Sequence, residues 1–203
     1  MGEGHSLRRS YTFFAPIYDA LLARATRPAR LRSLGWLANL PPGDVLLAGV
    51  GTGLDLPHLP LTHRYVGLDL TLAMLRHCAP RAGPLRFAAI QGDVMAQPFG
   101  NSHFDAVVLH LILAVAPEPL ACLREASRIL RPGGTVLIFD KFLRPGQRAP
   151  ARRWATPLVK RFATRLDVVL EDLLAECPDL IVQDDQPALA RGWFRLVRLK
   201  KAQ

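Results

Sequence analysis

Residues 45–53, VLLAGVGTG, constrain the fold more than any other stretch of the chain. An apolar run stops at three glycines spaced G-x-G-x-G: Gly49, Gly51 and Gly53. Glycine lacks a Cβ and adopts positive φ freely, so a buried strand ending this way turns sharply and lets backbone approach a ligand closely. A second apolar run, RYVGLDL, closes on Asp69, twenty residues past Gly49. At the tip of the second strand of a doubly wound sheet, a carboxylate is placed to accept hydrogen bonds from ribose hydroxyls. Bend and carboxylate together point to a nucleoside-like ligand.

The rest of the chain supplies strands and helices in alternation. Strand-like runs fall near 45–48, 64–69, 85–91, 105–111 and 134–140. Between them, Leu72, Leu75 and Cys78 or Ala79 recur at helical spacing. So do Leu120, Leu123, Ser127 and Leu130, on a segment ended by Pro132-Gly133-Gly134, which reads as the turn before the fifth strand. Residues 5–40 read as two helical pieces broken at Pro28. Towards the C-terminus, Thr164 is placed to cap a last helix, Arg165 to Cys177. Two further strands near 179–184 and 192–199 are expected to pair as a hairpin at the sheet edge. The expected architecture is α/β and Rossmann-like: a seven-stranded, mostly parallel sheet with helices on both faces and an antiparallel last strand.

Length and composition narrow the setting. A chain of 203 residues, half of them hydrophobic, suffices for one domain with a sizeable core. Cys78, Cys122 and Cys177 lack paired or metal-ligand spacing and read as free thiols of a reducing compartment. No charged-then-apolar leader opens the chain, so secretion is not expected. The longest apolar stretch, Ala106 to Ala116, contains His110 and is too short to span a bilayer. The net charge is +9, and only four of the 26 basic residues are lysine. Such charge favours anionic surfaces, lipid or nucleic acid, although an arginine bias also follows from gene base composition.

The glycine bend is not the dinucleotide fingerprint G-x-G-x-x-G, because Leu54 stands where the third glycine belongs. Specificity comes from the ordered set: the bend, Asp69, Gly92-Asp93 after a third strand, then FDAVVLH, then ILRPGGTVLIFD. In this order and spacing, residues 40–142 resemble the class I S-adenosylmethionine-dependent methyltransferases. The resemblance implies S-adenosyl-L-methionine as methyl donor and assigns roles by position. Gly49, Gly51 and Gly53 would line its methionine end. Asp69 would hold both ribose hydroxyls, with Leu70 beside the adenine. Asp93 would accept from the adenine amine, with Val94 against the ring; an Asx turn is the structural alternative for Asp93. Leu109 to Leu111 would border the sulfonium and the acceptor pocket. One position departs from the pattern: Leu47 stands where the family carries an acidic residue, two before the first glycine. Asp55 is the candidate replacement, with helix capping as its alternative role. The implied organisation is a single domain over 1–203, divided into an N-terminal helical lid (1–40), a donor-binding core (41–142) and C-terminal helices with the edge hairpin (143–203).

The flanks bear on the acceptor. The string YTFFAPIYD, residues 11–19, resembles a segment of small methyltransferases with membrane-resident acceptors, the bacterial phosphatidylethanolamine N-methyltransferases and quinone-pathway C-methyltransferases. In that family the segment lids the donor site, so Tyr18 would face the ligands. The continuation GVGTGLDLP is closer to the phospholipid branch. The basic stretches 5–32 and 148–165 also carry Phe13, Phe14, Trp36, Trp154 and Phe162. They read as an anionic-membrane face or as a solvated face packed on the core, and Pro150 and Pro157 exclude one continuous amphipathic helix across 148–165.

The expected partner is therefore a lipophilic small-molecule acceptor, at a cytoplasmic site or peripherally at the inner membrane surface. Tyr18 and His110 are the candidate catalytic residues, with His110 expected at the mouth of the site. His58, His63, His77 and Cys78 do not form a ligand pattern, so no metal is expected. A nucleic-acid substrate is disfavoured, because the chain has no N-P-P-[YFW]-like run for a flipped base. An RNA methyltransferase and a non-catalytic donor-fold subunit are the competing readings.

Overall fold

In a computed structural model, which describes residues 24–144 and 167–203, the apolar runs assemble into one seven-stranded sheet. The strands are Asp44–Ala48 (β1), Arg64–Asp69 (β2), Arg86–Gln91 (β3), Phe104–His110 (β4), Leu130–Lys141 (β5), Leu180–Leu189 (β6) and Phe194–Lys201 (β7). Their spatial order is β3-β2-β1-β4-β5-β7-β6. The first five run parallel, while β7 is antiparallel to both β5 and β6. The hairpin thus forms as expected, with β6 on the edge. Pro187 is tolerated in β6 because an edge strand hydrogen-bonds on one side only.

β1 and β4 are buried along nearly their whole length, as strands covered on both faces must be. Alternate side chains feed two cores. Leu46, Ala48, Val107, Leu109, Val136 and Ile138 pack against Cys122, Leu123, Ala126 and Ile129 of helix α3 (Pro119–Ile129). Val45, Leu47, Ala106, Val108 and Leu137 face the other way. They meet Leu34 of the helix that includes residues 24–35 (α1) and Cys78 of helix α2 (Leu72–Cys78). Helices on both faces follow from this alternation.

Several local expectations are corrected. Helix α1 runs through Pro28 rather than breaking there. Helix α3 ends at Ile129, and Leu130 already pairs with Phe104 as the start of β5. Gly133 and Gly134 therefore lie within β5, where the register shifts between Phe104 and Ala106; Gly133 holds φ +70°. A Cβ on Gly134 would meet Leu130 Cγ at 2.7 Å, so the strand folds back on itself there. The last helix is shorter than expected, Leu170–Ala175 (α4), because Val169 is extended and pairs with Leu143. Thr164 and Arg165 lie outside the described residues. On α2, Leu75 and Cys78 are buried while Leu72 is exposed. All three cysteines are buried free thiols.

Candidate active site

The chain reverses its direction of winding between β1 and β4: β2 lies on one side of β1 and β4 on the other. In an open parallel sheet, that switch point opens a crevice beyond the carboxyl ends of the strands. The glycine bend leaves β1 there, and residues 111–114 leave β4 beside it.

The three glycines have different reasons to be glycine, although all hold positive φ. A Cβ on Gly49 would meet Ile112 Cδ1 at 2.5 Å, so this glycine lets the post-β4 loop pack on the bend. A Cβ on Gly53 would meet Cys78 Sγ at 2.9 Å and Leu56 Cδ1 at 3.0 Å, so Gly53 seats the bend on α2. Gly51 alone faces open space, with nothing within 4 Å of its virtual Cβ. Of the three, Gly51 is the one that leaves room for a ligand against bare backbone.

Asp69 ends β2 beside this opening. Gly51 N–H donates to its Oδ2 at 2.9 Å, and Thr71 N–H donates to Oδ1 at 2.9 Å. Burial pushes the carboxyl upward in pKa, and these two backbone donors oppose it. Each oxygen keeps a further lone pair for a hydroxyl donor. Gly92 N–H donates to the Asp69 carbonyl at 3.0 Å, which brings the end of β3 to the same edge. Asp93 Oδ1 accepts from Met95 N–H at 2.8 Å, so the Asx turn is present; Val94 lies against the first core. Leu70 is 57% exposed at this rim. Leu109 is fully buried and packs in the first core, so it exposes nothing to the crevice. The next residue but one, Leu111, holds φ 58° while its N–H donates to Phe139 O at 2.7 Å. A branched side chain in the left-handed region costs about 1–2 kcal/mol, and such strain concentrates at functional edges.

His110 and Asp55 are not where the sequence put them. His110 is 7% exposed rather than at the mouth of the site. Its Nδ1 bonds the Asp55 carboxylate at 3.0 and 3.1 Å, and its Nε2 pairs with Ser33 Oγ at 2.9 Å. Arg30 Nη1 donates to Asp55 Oδ1 at 2.7 Å, and Arg30 Nε to Thr26 Oγ1 at 3.1 Å. Burial alone would raise the Asp55 carboxyl, but His110 and Arg30 together outweigh it and hold the group well below the usual carboxylate range. Asp55 precedes a short 3-10 turn, Leu56–His58, and makes no side-chain cap to it. It is neither a cap nor a free acid at the crevice. Arg30 and Ser33 were not singled out by the sequence; their spacing of three places both on one face of α1, but only the fold brings Asp55 and His110 to that face.

Leu47 is buried in the second core beside Leu34 and Leu37, where a carboxylate would lack partners. His63 is a satisfied core residue: Gly43 N–H donates to its Nδ1 at 3.2 Å, and its Nε2 bonds Leu37 O at 3.0 Å. Trp36 is partly buried in the cores, with the Arg198 guanidinium 5.4 Å over its ring, so it does not present itself as a membrane-facing aromatic. Tyr18, the segment 11–19 and the basic stretch 148–165 lie outside the described residues.

Residues 46–138 match the model of the methyltransferase domain family. A 2-phytyl-1,4-naphtoquinone methyltransferase of Synechococcus elongatus is 31% identical, with 70% of this chain and 69% of the relative aligned. The chain belongs to the class I S-adenosylmethionine-dependent methyltransferases. It is similar along nearly its whole length to a phosphatidylethanolamine N-methyltransferase of Cereibacter sphaeroides, 28% identical over 98% of this chain and 99% of the relative. A demethylmenaquinone methyltransferase of Roseiflexus castenholzii is 35% identical, over 66% of this chain and 59% of the relative.

Solved structures share the fold: the YcgJ protein of Bacillus subtilis superposes with a TM-score of 0.69 at 16% identity, covering 85% of this chain and 99% of its own. The [4+2]-cyclase SpnF does so at 0.67 and 18%, covering 85% and 81%. Cyclase and methyltransferases on one fold mean that architecture does not carry the reaction; for this methyltransferase the sequence relatives do. The family's methyl donor is S-adenosylmethionine, and the open backbone at Gly51 beside the Asp69 carboxylate fits such a group. Among the described residues, no helix is long and apolar enough to cross a membrane.

Proposed function

We propose that this methyltransferase acts on a lipophilic amine at a membrane surface, a phospholipid amine such as phosphatidylethanolamine. The observation that carries this reading is the end-to-end similarity to the Cereibacter sphaeroides enzyme, which includes both flanks as well as the core. The quinone-pathway relatives are more alike over a shorter span, 35% identity across 66% of the chain. They support the second reading, a quinone C-methyltransferase.

In either reading the donor supplies an activated methyl group, and the protein's task is to bind, orient and exclude water. Such positioning alone can supply about 7–11 kcal/mol. Gly51 presents backbone at the opening, Asp69 is fixed by two backbone donors to receive ribose hydroxyls, and Leu70 offers an exposed apolar face for adenine. Asp93 keeps one carboxylate oxygen free of its Asx turn for the adenine amine, and Val94 backs it. An amine acceptor must arrive with its lone pair free, which a water-poor pocket favours. His110 serves as a positioning residue tying α1 to the end of β4, and Tyr18 stays the candidate lid residue. The protein works in the cytoplasm, or peripherally at the inner face of the membrane.

Incubation of the protein with radiolabelled donor and a total lipid extract tests this. A labelled phospholipid amine is the expected product; a labelled quinone would establish the second reading. Donor binding without any labelled lipid would overturn both and leave an RNA acceptor, and absence of donor binding by calorimetry would mark a non-catalytic subunit.

A further inference from the structure

The glycine bend is held from two sides. Towards β2, Gly49 and Val50 N–H donate to Leu68 O at 2.8 and 2.9 Å, and Gly51 N–H donates to Asp69. Towards β4 its neighbour is Ile112, whose Cδ1 lies 2.5 Å from where a Gly49 Cβ would stand. The strand itself does not fix Ile112, because the chain turns out of line just past β4, at Leu111 with φ 58°. A turn follows, in which Val115 and Ala116 N–H donate to Ile112 O at 3.1 and 2.9 Å. Two hydrogen bonds tie this turn to the end of β5: Leu111 N–H to Phe139 O at 2.7 Å, and Ala114 N–H to Asp140 Oδ2 at 3.1 Å. Of these two anchors, the second is made by a side chain. The other carboxylate oxygen of Asp140 accepts from Lys141 N–H at 2.8 Å. Asp140 is 1% exposed, and burial pushes its carboxyl up to about 6 against the Ala114 and Lys141 amides and the Lys141 charge. A carboxylate kept there costs stability at neutral pH, and such costs concentrate where a side chain serves a site.

We infer that Asp140 is a positioning residue for the methyl donor: it holds the turn 111–116, the turn seats Ile112 against Gly49, and Ile112 fixes how the bend presents the Gly51 backbone. Asp140 acts through the turn rather than by touching either substrate. Its two oxygens serve different ends, Oδ1 closing β5 at Lys141 and Oδ2 anchoring the turn at Ala114. The inference rests on the donor crevice at the bend and is independent of which acceptor is methylated.

Calorimetric titration of the full chain with S-adenosylmethionine tests it, at a temperature where thermal unfolding shows each variant to be folded. Under that condition global stability does not enter the measured affinity. Asp140→Ala is expected to weaken donor binding about five-fold or more, and Asp140→Asn, which keeps one acceptor oxygen, about two- to five-fold. Ile112→Ala cuts the same link at its other end and should weaken binding as well. Because both act through one contact, the double variant should lose little more than the weaker-binding single variant does. Coupling is reciprocal, so the donor should also slow amide exchange at Leu113 and Ala114 in the unaltered chain. A folded Asp140→Ala that binds donor as the unaltered chain does, or losses that add in the double variant, overturns the inference and leaves the donor crevice standing. If Asp140→Ala does not fold, Asp140→Asn and its cycle with Ile112→Ala carry the same test. An unaltered chain that binds no donor overturns the crevice and this inference with it.

Discussion

Asp69 and Asp55 show how one residue type serves different ends within fifteen residues. Asp69 accepts from Gly51 and Thr71 yet keeps a lone pair on each oxygen. Asp69→Ala is expected to lower donor affinity about 10- to 100-fold, the loss of a charge-assisted pair at about 1.5–3 kcal/mol, read by calorimetry. Asp55 instead neutralises Arg30 in the interior. Asp55→Ala strands a buried guanidinium and should cost about 3–5 kcal/mol in chemical denaturation, with Arg30→Met in the same background recovering part of it. Asp140 is a third case. It is fully buried, and its carboxylate accepts from Ala114 N–H at 3.1 Å and Lys141 N–H at 2.8 Å. Burial raises its pKa to about 6 against those donors. The folded state therefore holds a proton that the unfolded chain releases near pH 4, and stability contributed by this group falls as pH rises from about 4 to about 6. Asp140→Asn should flatten that part of a stability-against-pH curve; an unchanged slope would reject the assignment.

At the scale of elements, the polar chain Thr26–Arg30–Asp55–His110–Ser33 fastens α1 across the ends of β1 and β4. Apolar contact from Leu34 and Ala29 holds the same helix to the sheet, so the polar links set its position more than its presence. Ser33→Ala removes one buried hydrogen bond, worth about 1 kcal/mol. Amide exchange in residues 24–35 should then speed up about five-fold while β4 stays protected. Equal change in both elements would mean that α1 and the sheet open as one unit. On the far edge, β6 exposes Ile181 and Val182 but carries Pro187 and two register shifts, features that discourage edge-to-edge pairing.

For the whole molecule, the switch of winding at β1 and β4 brings the glycine bend, Asp69 and the end of β3 together beyond the carboxyl ends of the strands. Because the crevice exists only when those strand ends are assembled, a bound donor must stabilise the fold. At a donor concentration 100 times its Kd, the gain is about 2.7 kcal/mol, or a Tm rise of roughly 5–10 °C for a chain of this size. Asp69→Ala should lose about half of that rise or more at the same concentration. A melting temperature indifferent to donor would argue against a preformed crevice.

The order of strands and helices was legible because both signals are local. Fully buried parallel strands such as β1 and β4 read as continuous apolar runs, and the glycines and Asp69 announce a turn and an acid at fixed spacing. Local signals misled where a distant partner decides: Leu130 continues the helical spacing of α3, yet pairs with Phe104, and the last helix starts late because Val169 is held by Leu143. What Asp55 and His110 do depends on Arg30 and Ser33, respectively 25 and 77 residues away. The sequence by itself determined the doubly wound sheet and the bend with its carboxylate, since periodicity and backbone freedom belong to neighbouring residues. Which glycine faces open space and which acid is locked away were decided by tertiary structure alone, because burial and pairing are properties of residues far apart in the chain.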